Sequence, residues 1–263
     1  MMSRSVSIVT ASAAMFLMLL SGGCAIRPGR VAPEHLTLTD VYAILDARRE
    51  SIRDFAGRAL VKANRPGENV SSATISLKYL APGRLRMMVK GFAGITGAVI
   101  TAAGDSVKAY FPGDNTFVAD TALNPVIAGL FPGINPDPRD LAGHITGLIP
   151  SPSRRISWDA SLVRDGRKLV LRLEREGFVH AFELDGPELA VVREWFNDGG
   201  DTVWTRTASR FKVVDGILLP SRIVYDGRGG ILDVGFSEMS VNSGVTAMDV
   251  TFTIPRSAER IRF

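Results

Sequence analysis

A single cysteine, Cys24, stands in a chain of 263 residues, so no internal disulfide can form and packing alone must hold the fold. Histidine is nearly as scarce. His35, His144 and His180 are far from one another and none lies beside a cysteine, which leaves no zinc-type spacing. A G-x-S-x-G elbow, a phosphate-binding glycine loop and a dinucleotide fingerprint are all missing. Gly91, Gly94 and Gly97 recur every third residue, but they flank apolar residues between strands and do not precede a helix. No catalytic residue, metal or cofactor is therefore assigned, and an enzyme is not expected. Basic residues form no block: the net charge is +4, and Arg48-Arg49 and Arg154-Arg155 are isolated pairs, so nucleic acid is not an expected partner. The longest apolar run, Val6 to Leu20, is roughly 15 residues, short of the ~20 that span a bilayer as a helix.

What is present is a globular composition rich in turns, 46% hydrophobic and 22% charged, with 26 Gly and 14 Pro. The N-terminus has the three parts of a secretory signal: basic Arg4, the apolar run, then small Ser21, Gly22 and Gly23. Cys24 follows directly. This arrangement resembles a bacterial lipobox, with Ser21 standing where that pattern carries Leu and Leu20 one residue further back. The resemblance implies removal of residues 1–23, a diacylglyceryl group on the Cys24 thiol, and a membrane anchor at the new N-terminus. Ala25 follows, and not the Asp that resembles an inner-membrane retention signal, which implies the outer membrane, facing the periplasm. The competing reading is an ordinary secretory signal with an incidental free thiol. Residues 24–37, with Pro28, Gly29 and Pro33 and no apolar period, read as a tether.

From Leu38 the apolar residues Val41, Ile44, Leu45, Ile52 and Phe55 recur at helical spacing, with Thr39 as the expected N-cap. The period then becomes two. Phe55 to Ala63, Ala73 to Tyr79, Leu85 to Val89, Gly97 to Thr101 and Val107 to Phe111 read as strands, separated at Pro66-Gly67, Pro82-Gly83 and Gly104-Asp105. Pro125 to Leu130 and Pro138 to Leu148 read as short helices. Beyond Arg155 strands are expected to the end, turning at Asp165-Gly166, Asp185-Gly186, Asp198-Gly199, Asp215-Gly216 and Asp226-Gly227. The expected fold is α+β and mostly β: a single curved antiparallel sheet, an incomplete barrel, with a few helices on its concave face. One domain over residues 38–263 is favoured over two split near Pro150, since each half would have a thin core.

The loop at Gly91-Phe92-Ala93-Gly94-Ile95 carries bulky apolar side chains among glycines that cannot pack around them. Either Phe92 folds back onto the sheet, or the loop is an apolar tip that meets a bilayer or another protein. Exposing Phe92 and Ile95 forfeits about 1.5–3 kcal/mol of burial each, a loss that only a partner recovers.

Several segments resemble the LolA/LolB family of lipoprotein carriers and outer-membrane receptors. Phe55-Ala56-Gly57-Arg58-Ala59 is similar to its first strand, and Ser76-Leu77-Lys78-Tyr79 and Arg84-Leu85-Arg86-Met87 to its second and third. Gly91-Phe92-Ala93-Gly94 falls where LolB-like members carry a loop with an exposed leucine; here Ala93 takes that position and the bulk sits on Phe92 and Ile95. Thr146-Gly147-Leu148-Ile149-Pro150 and Asp215-Gly216-Ile217-Leu218-Leu219-Pro220-Ser221 complete the likeness. It implies an apolar cavity for acyl chains, lined by Leu77, Tyr79, Met87, Val89, Phe111 and Trp195, with Phe92, Ala93 and Ile95 at the membrane. It further implies a monomer that receives lipoprotein acyl chains or another lipid from a periplasmic LolA-like carrier and inserts them into the outer membrane. The rivals are a lipid sensor of the same fold that does not transfer, a scaffold lipoprotein whose own helices fill the interior, and a hydrolase with an unrecognised site.

Overall fold

The computed structural model describes residues 35–91, 94–104, 106–121, 143–144, 158–165 and 168–261. The chain forms an open, curved sheet of 14 strands in the order β14-β6-β5-β4-β3-β2-β1-β13-β12-β11-β10-β9-β8-β7. Its first meander comprises β1 (Asp54–Asn64), β2 (Ser71–Leu80), β3 (Arg84–Lys90), β4 (Thr96–Ala103), β5 (Ser106–Phe111) and β6 (Thr116–Thr121). The second comprises β7 (Asp159–Asp165), β8 (Lys168–Arg175), β9 (Phe178–Asp185), β10 (Ala190–Asp198), β11 (Asp201–Val214), β12 (Ile217–Gly227) and β13 (Gly230–Val241). Antiparallel pairing of β1 with β13, from Phe55↔Val241 to Asn64↔Ile231, joins the two meanders into one surface. Register shifts at Arg58/Ala59, Val191/Arg193 and Phe196/Asn197 bend the strands that carry them, because an extra residue on one strand increases the local twist.

Alternation decides which face is which. On the inner face, Phe55 and Ala59 of β1, Leu77 of β2, Met87 of β3, Ile100 of β4 and Ala109 of β5 pack with Ile223, Leu232, Val234 and Phe236 from the far side of the β1–β13 seam. A second cluster belongs to β8–β10, where Leu169, Leu171, Leu173, Phe182, Leu184 and Val191 receive Val41 and Leu45 of α1 (Leu38–Glu50). The helix begins two residues earlier than Thr39 would set it. Thr37 is the N-cap, because Asp40 then falls at the third helical position and its carboxylate accepts from the Thr37 backbone N–H at 2.8 Å, while the Asp40 N–H donates to Thr37 Oγ1 at 3.2 Å. Thr39 has no such reciprocal partner three residues on, since Tyr42 stands there.

The hairpin at Asp215-Gly216 follows the sequence cue: both residues have positive φ, 49° and 83°, the left-handed pair that a two-residue turn between twisted strands needs. At Asp226-Gly227 the cue misplaces the turn. Those residues close β12, Gly227 pairs with Gly230, and Arg228-Gly229 make the reversal. Strands also stop before the expected end. From Asn242 the chain leaves the sheet and crosses the outer face of β2–β5, where Lys78 pairs with Asp249 at 2.5 Å, Phe252 stacks on Tyr110 at 5.5 Å, and Arg86 lies over the Phe252 ring. It ends as β14 (Glu259–Arg260), parallel to β6. The helices expected at Pro125 to Leu130 and Pro138 to Leu148 lie outside the described residues, apart from a helical Gly143-His144. Among the described residues no helix is long and apolar enough to cross a membrane.

Candidate functional site: the inner face of the sheet

The residues expected to line a cavity fall into two sets. Leu77 and Met87 face each other across β2 and β3 on the inner face and are almost fully buried there. Tyr79, Val89 and Phe111 share that face and are half-buried against the same cluster. Trp195 does not join them. Its neighbours Glu194 and Phe196 point inward, so alternation turns the indole to the outer face, where the Arg193 guanidinium lies 5.6 Å from its ring centre. A tryptophan beside a buried glutamate gave no signal of its own face, because the shift between Val191 and Arg193 resets the alternation of β10.

The inner face also holds a polar row that the sequence reading passed over. Glu194, Arg206 and Tyr225 are cross-strand neighbours on β10, β11 and β12, all at most 1% exposed. Glu194 Oε2 lies 2.6 Å from Arg206 Nε, and its Oε1 is 2.6 Å from Nε2 of the equally buried His180 on β9. Burial by itself would raise the Glu194 carboxyl. The Arg206 guanidinium, then the hydrogen bond and charge of His180, outweigh that and hold it well below the usual carboxylate range. Burial pushes the Tyr225 hydroxyl up, so it stays protonated and donates, here to the carbonyl of His144. Arg206 Nη1 donates to the Gly143 carbonyl at 3.4 Å. Trp204 closes the cluster, stacked on Phe196 at 6.3 Å and edge-on to His180 at 5.6 Å.

His180 is thus a buried packing residue with a carboxylate partner. Glu194 and Arg206 could have been found only by knowing that they face each other, a fact of register that spacing along the chain does not carry. Among the described residues there is no cluster of metal-ligating side chains. Chemically the arrangement is a charge-neutralised polar centre in an apolar bowl, holding residues 143–144 against the sheet.

Ile95 is 71% exposed at the tip between β3 and β4, where the Gly91 N–H donates to the Ile95 carbonyl and Gly94 adopts a φ of 75°. Phe92, Ala93 and Cys24 lie outside the described residues. Two other exposed aliphatic side chains share this end of the sheet: Val70, 63% exposed just before β2, and Ile231, 39% exposed at the start of β13 opposite Asn64. The register puts them on one rim, since Ser71 pairs with Ala63 and Thr74 with Lys90.

No family model and no curated protein matches the chain. Solved structures do. A structure described as an outer membrane lipoprotein-sorting protein domain, from Vibrio parahaemolyticus, superposes with a TM-score of 0.61 at 15% identity, covering 80% of this chain and 95% of that one. A LolA superfamily protein from Nitrosomonas europaea gives 0.59 at 13% identity, covering 83% and 99%. A DUF1329 family protein from Desulfovibrio piger gives 0.53 at 10%, covering 81% and 97%. Over four fifths of its length, the chain carries the LolA-type fold.

Proposed function

We propose that this chain is an envelope lipoprotein, acylated at Cys24 and held on the periplasmic side of the outer membrane, whose inner sheet face binds acyl chains. The observation that carries the reading is the inner face itself: a continuous apolar floor from β1 to β5, with a helix over the other half of an open sheet. Such a surface suits fatty chains, because burial contributes ~0.8 kcal/mol for each CH₂ and needs no directional contacts. Leu77, Tyr79, Met87, Val89 and Phe111 form the binding floor in this account. The rim of Val70, Ile95 and Ile231, with Phe92 and Ala93 beside Ile95 in sequence, is where the protein meets the bilayer.

In the fuller form of the proposal the protein acts as a LolB-like receptor. It takes a lipoprotein's acyl chains, or another lipid, from a periplasmic LolA-like carrier, as a monomer, and releases them into the membrane that holds its own anchor. The transfer is non-covalent, between apolar surfaces. Delivery of an acylated client to outer-membrane vesicles tests it. Replacing both Phe92→Ser and Ile95→Ser is expected to cut delivery about tenfold or more, the scale of two lost apolar insertions, while leaving the melting temperature unchanged. Delivery at the wild-type rate by the double variant would remove the rim from the mechanism. Acyl binding that persists while delivery by the wild-type chain is undetectable would favour a sensor of the same fold.

A further inference from the structure

Between β12 and β13 the ladder stops early. It runs from Gly227↔Gly230 to Arg222↔Gly235, yet β12 begins at Ile217 and β13 continues to Val241. Where the strands part, a pocket of about 510 Å³ is lined by Leu60 and Lys62 of β1, Arg210 and Lys212 of β11, and Arg222 and Gly235 across the split. Three features mark it as built. Arg210 has a φ of 54°, a left-handed backbone unfavourable for a residue with a Cβ, and the Ser221 hydroxyl donates to its carbonyl at 2.6 Å. Gly235 lies mid-strand, where a Cβ would meet nothing nearer than the Leu60 carbonyl at 4.0 Å; the glycine leaves floor space that any other residue would take. The charge is one-sided. Asp233, also in the lining, is engaged in a two-pronged pair by Arg222 at 3.0 and 2.8 Å, and Lys62, Arg210 and Lys212 form no ion pair with any described residue.

We propose that this pocket binds a phosphate-bearing anion of glycerophosphate size, free or as the head of a lipid. Three cations outside any ion pair with a described residue line a space too large for a bare ion and within the range of small-molecule sites, with Asp233 the one carboxylate in the lining. Arg222, held in place by Asp233, forms one wall, while the Lys62 and Lys212 ammonium groups supply point charges. The site is separate from the inner-face floor, so it stands whether or not that face holds acyl chains.

Isothermal titration of the full-length protein with sn-glycerol 3-phosphate at low ionic strength is the test. Saturable single-site binding is expected, weakening as salt rises. The double change Lys62→Gln and Lys212→Gln should weaken it by about tenfold or more through loss of charge-assisted contacts. Gly235→Leu, which keeps every charge and fills the floor, should abolish it; if that variant does not fold, the double charge variant decides alone. Glycerol 3-phosphate bound more tightly than both orthophosphate and the lipid probe identifies a free glycerophosphate-sized anion as the natural source, whereas orthophosphate bound as tightly overturns the size assignment. Tighter binding of dihexanoylphosphatidylglycerol, lost in the same variants, identifies a lipid head. No binding of any of the three probes, or binding that survives in the double charge variant, overturns the proposal.

Discussion

Glu194 is the residue whose removal the inner face would tolerate least. Its carboxylate neutralises Arg206 and accepts from His180 Nε2 in a space closed to water. Glu194→Ala leaves the Arg206 guanidinium buried without its counter-charge, and about 3–5 kcal/mol of stability should be lost in urea unfolding. The pH dependence has a definite sign. The folded carboxyl titrates below its unfolded value, so its stabilisation is fully present above the unfolded value of about 4.3 and declines as pH falls below it. Glu194→Gln should flatten that acid limb of the stability curve; an unchanged slope below pH ~4.3 would show that other carboxyls carry it. Tyr225→Phe is milder. It deletes the donor to the His144 carbonyl and should cost about 1–3 kcal/mol, because the carbonyl stays buried with one partner fewer. None of this row was legible along the chain. His180, Glu194, Arg206 and Tyr225 are separated by at least ten residues each, and only the register of four strands brings them to one place.

The strands themselves were legible where two faces differ in polarity. Leu77, Tyr79, Leu85, Met87 and Val89 alternate with Lys78, Arg84, Arg86 and Met88, and the first set faces the inner cluster, with Leu77, Leu85 and Met87 buried and Tyr79 and Val89 half-buried. Legibility failed where an element's limit depends on a partner. Thr37 caps α1 through Asp40, and Thr37→Ala should cost ~1 kcal/mol, about what loss of a reciprocal cap takes from a helix. A denaturation midpoint equal to that of wild type would show that packing of Val41 and Leu45 alone holds the helix. Likewise the last segment reads as strand from its alternating Val250, Phe252 and Ile254, but the sheet already has β13 against β1, and the segment is drawn across the outer face by Tyr110, Arg86 and Lys78 instead. Phe252→Ala should cost about 2–4 kcal/mol through loss of its packing on Tyr110; a denaturation midpoint equal to that of wild type would show that the crossing is held without that contact.

At the scale of the whole molecule, closure of β1 onto β13 makes two meanders into one bowl, with its apolar floor under β1–β5, its helix over β8–β10 and its polar centre between them. A curved antiparallel sheet could be read from the order of the elements, because the run of strand, turn and strand is unbroken on either side of the middle segment. The seam could not, since β1 and β13 are among the most distant strands in sequence and each is patterned like its neighbours. The account's central claim is that acyl chains lie against this floor and not against the sheet's other side. Site-directed photo-crosslinking to an acylated client measures that directly, with p-benzoylphenylalanine placed in turn at Val89, Phe111 and Trp195. Adducts at Val89 and Phe111 with none at Trp195 are the expected result. Equal labelling at all three positions, or labelling at Trp195 alone, would contradict it.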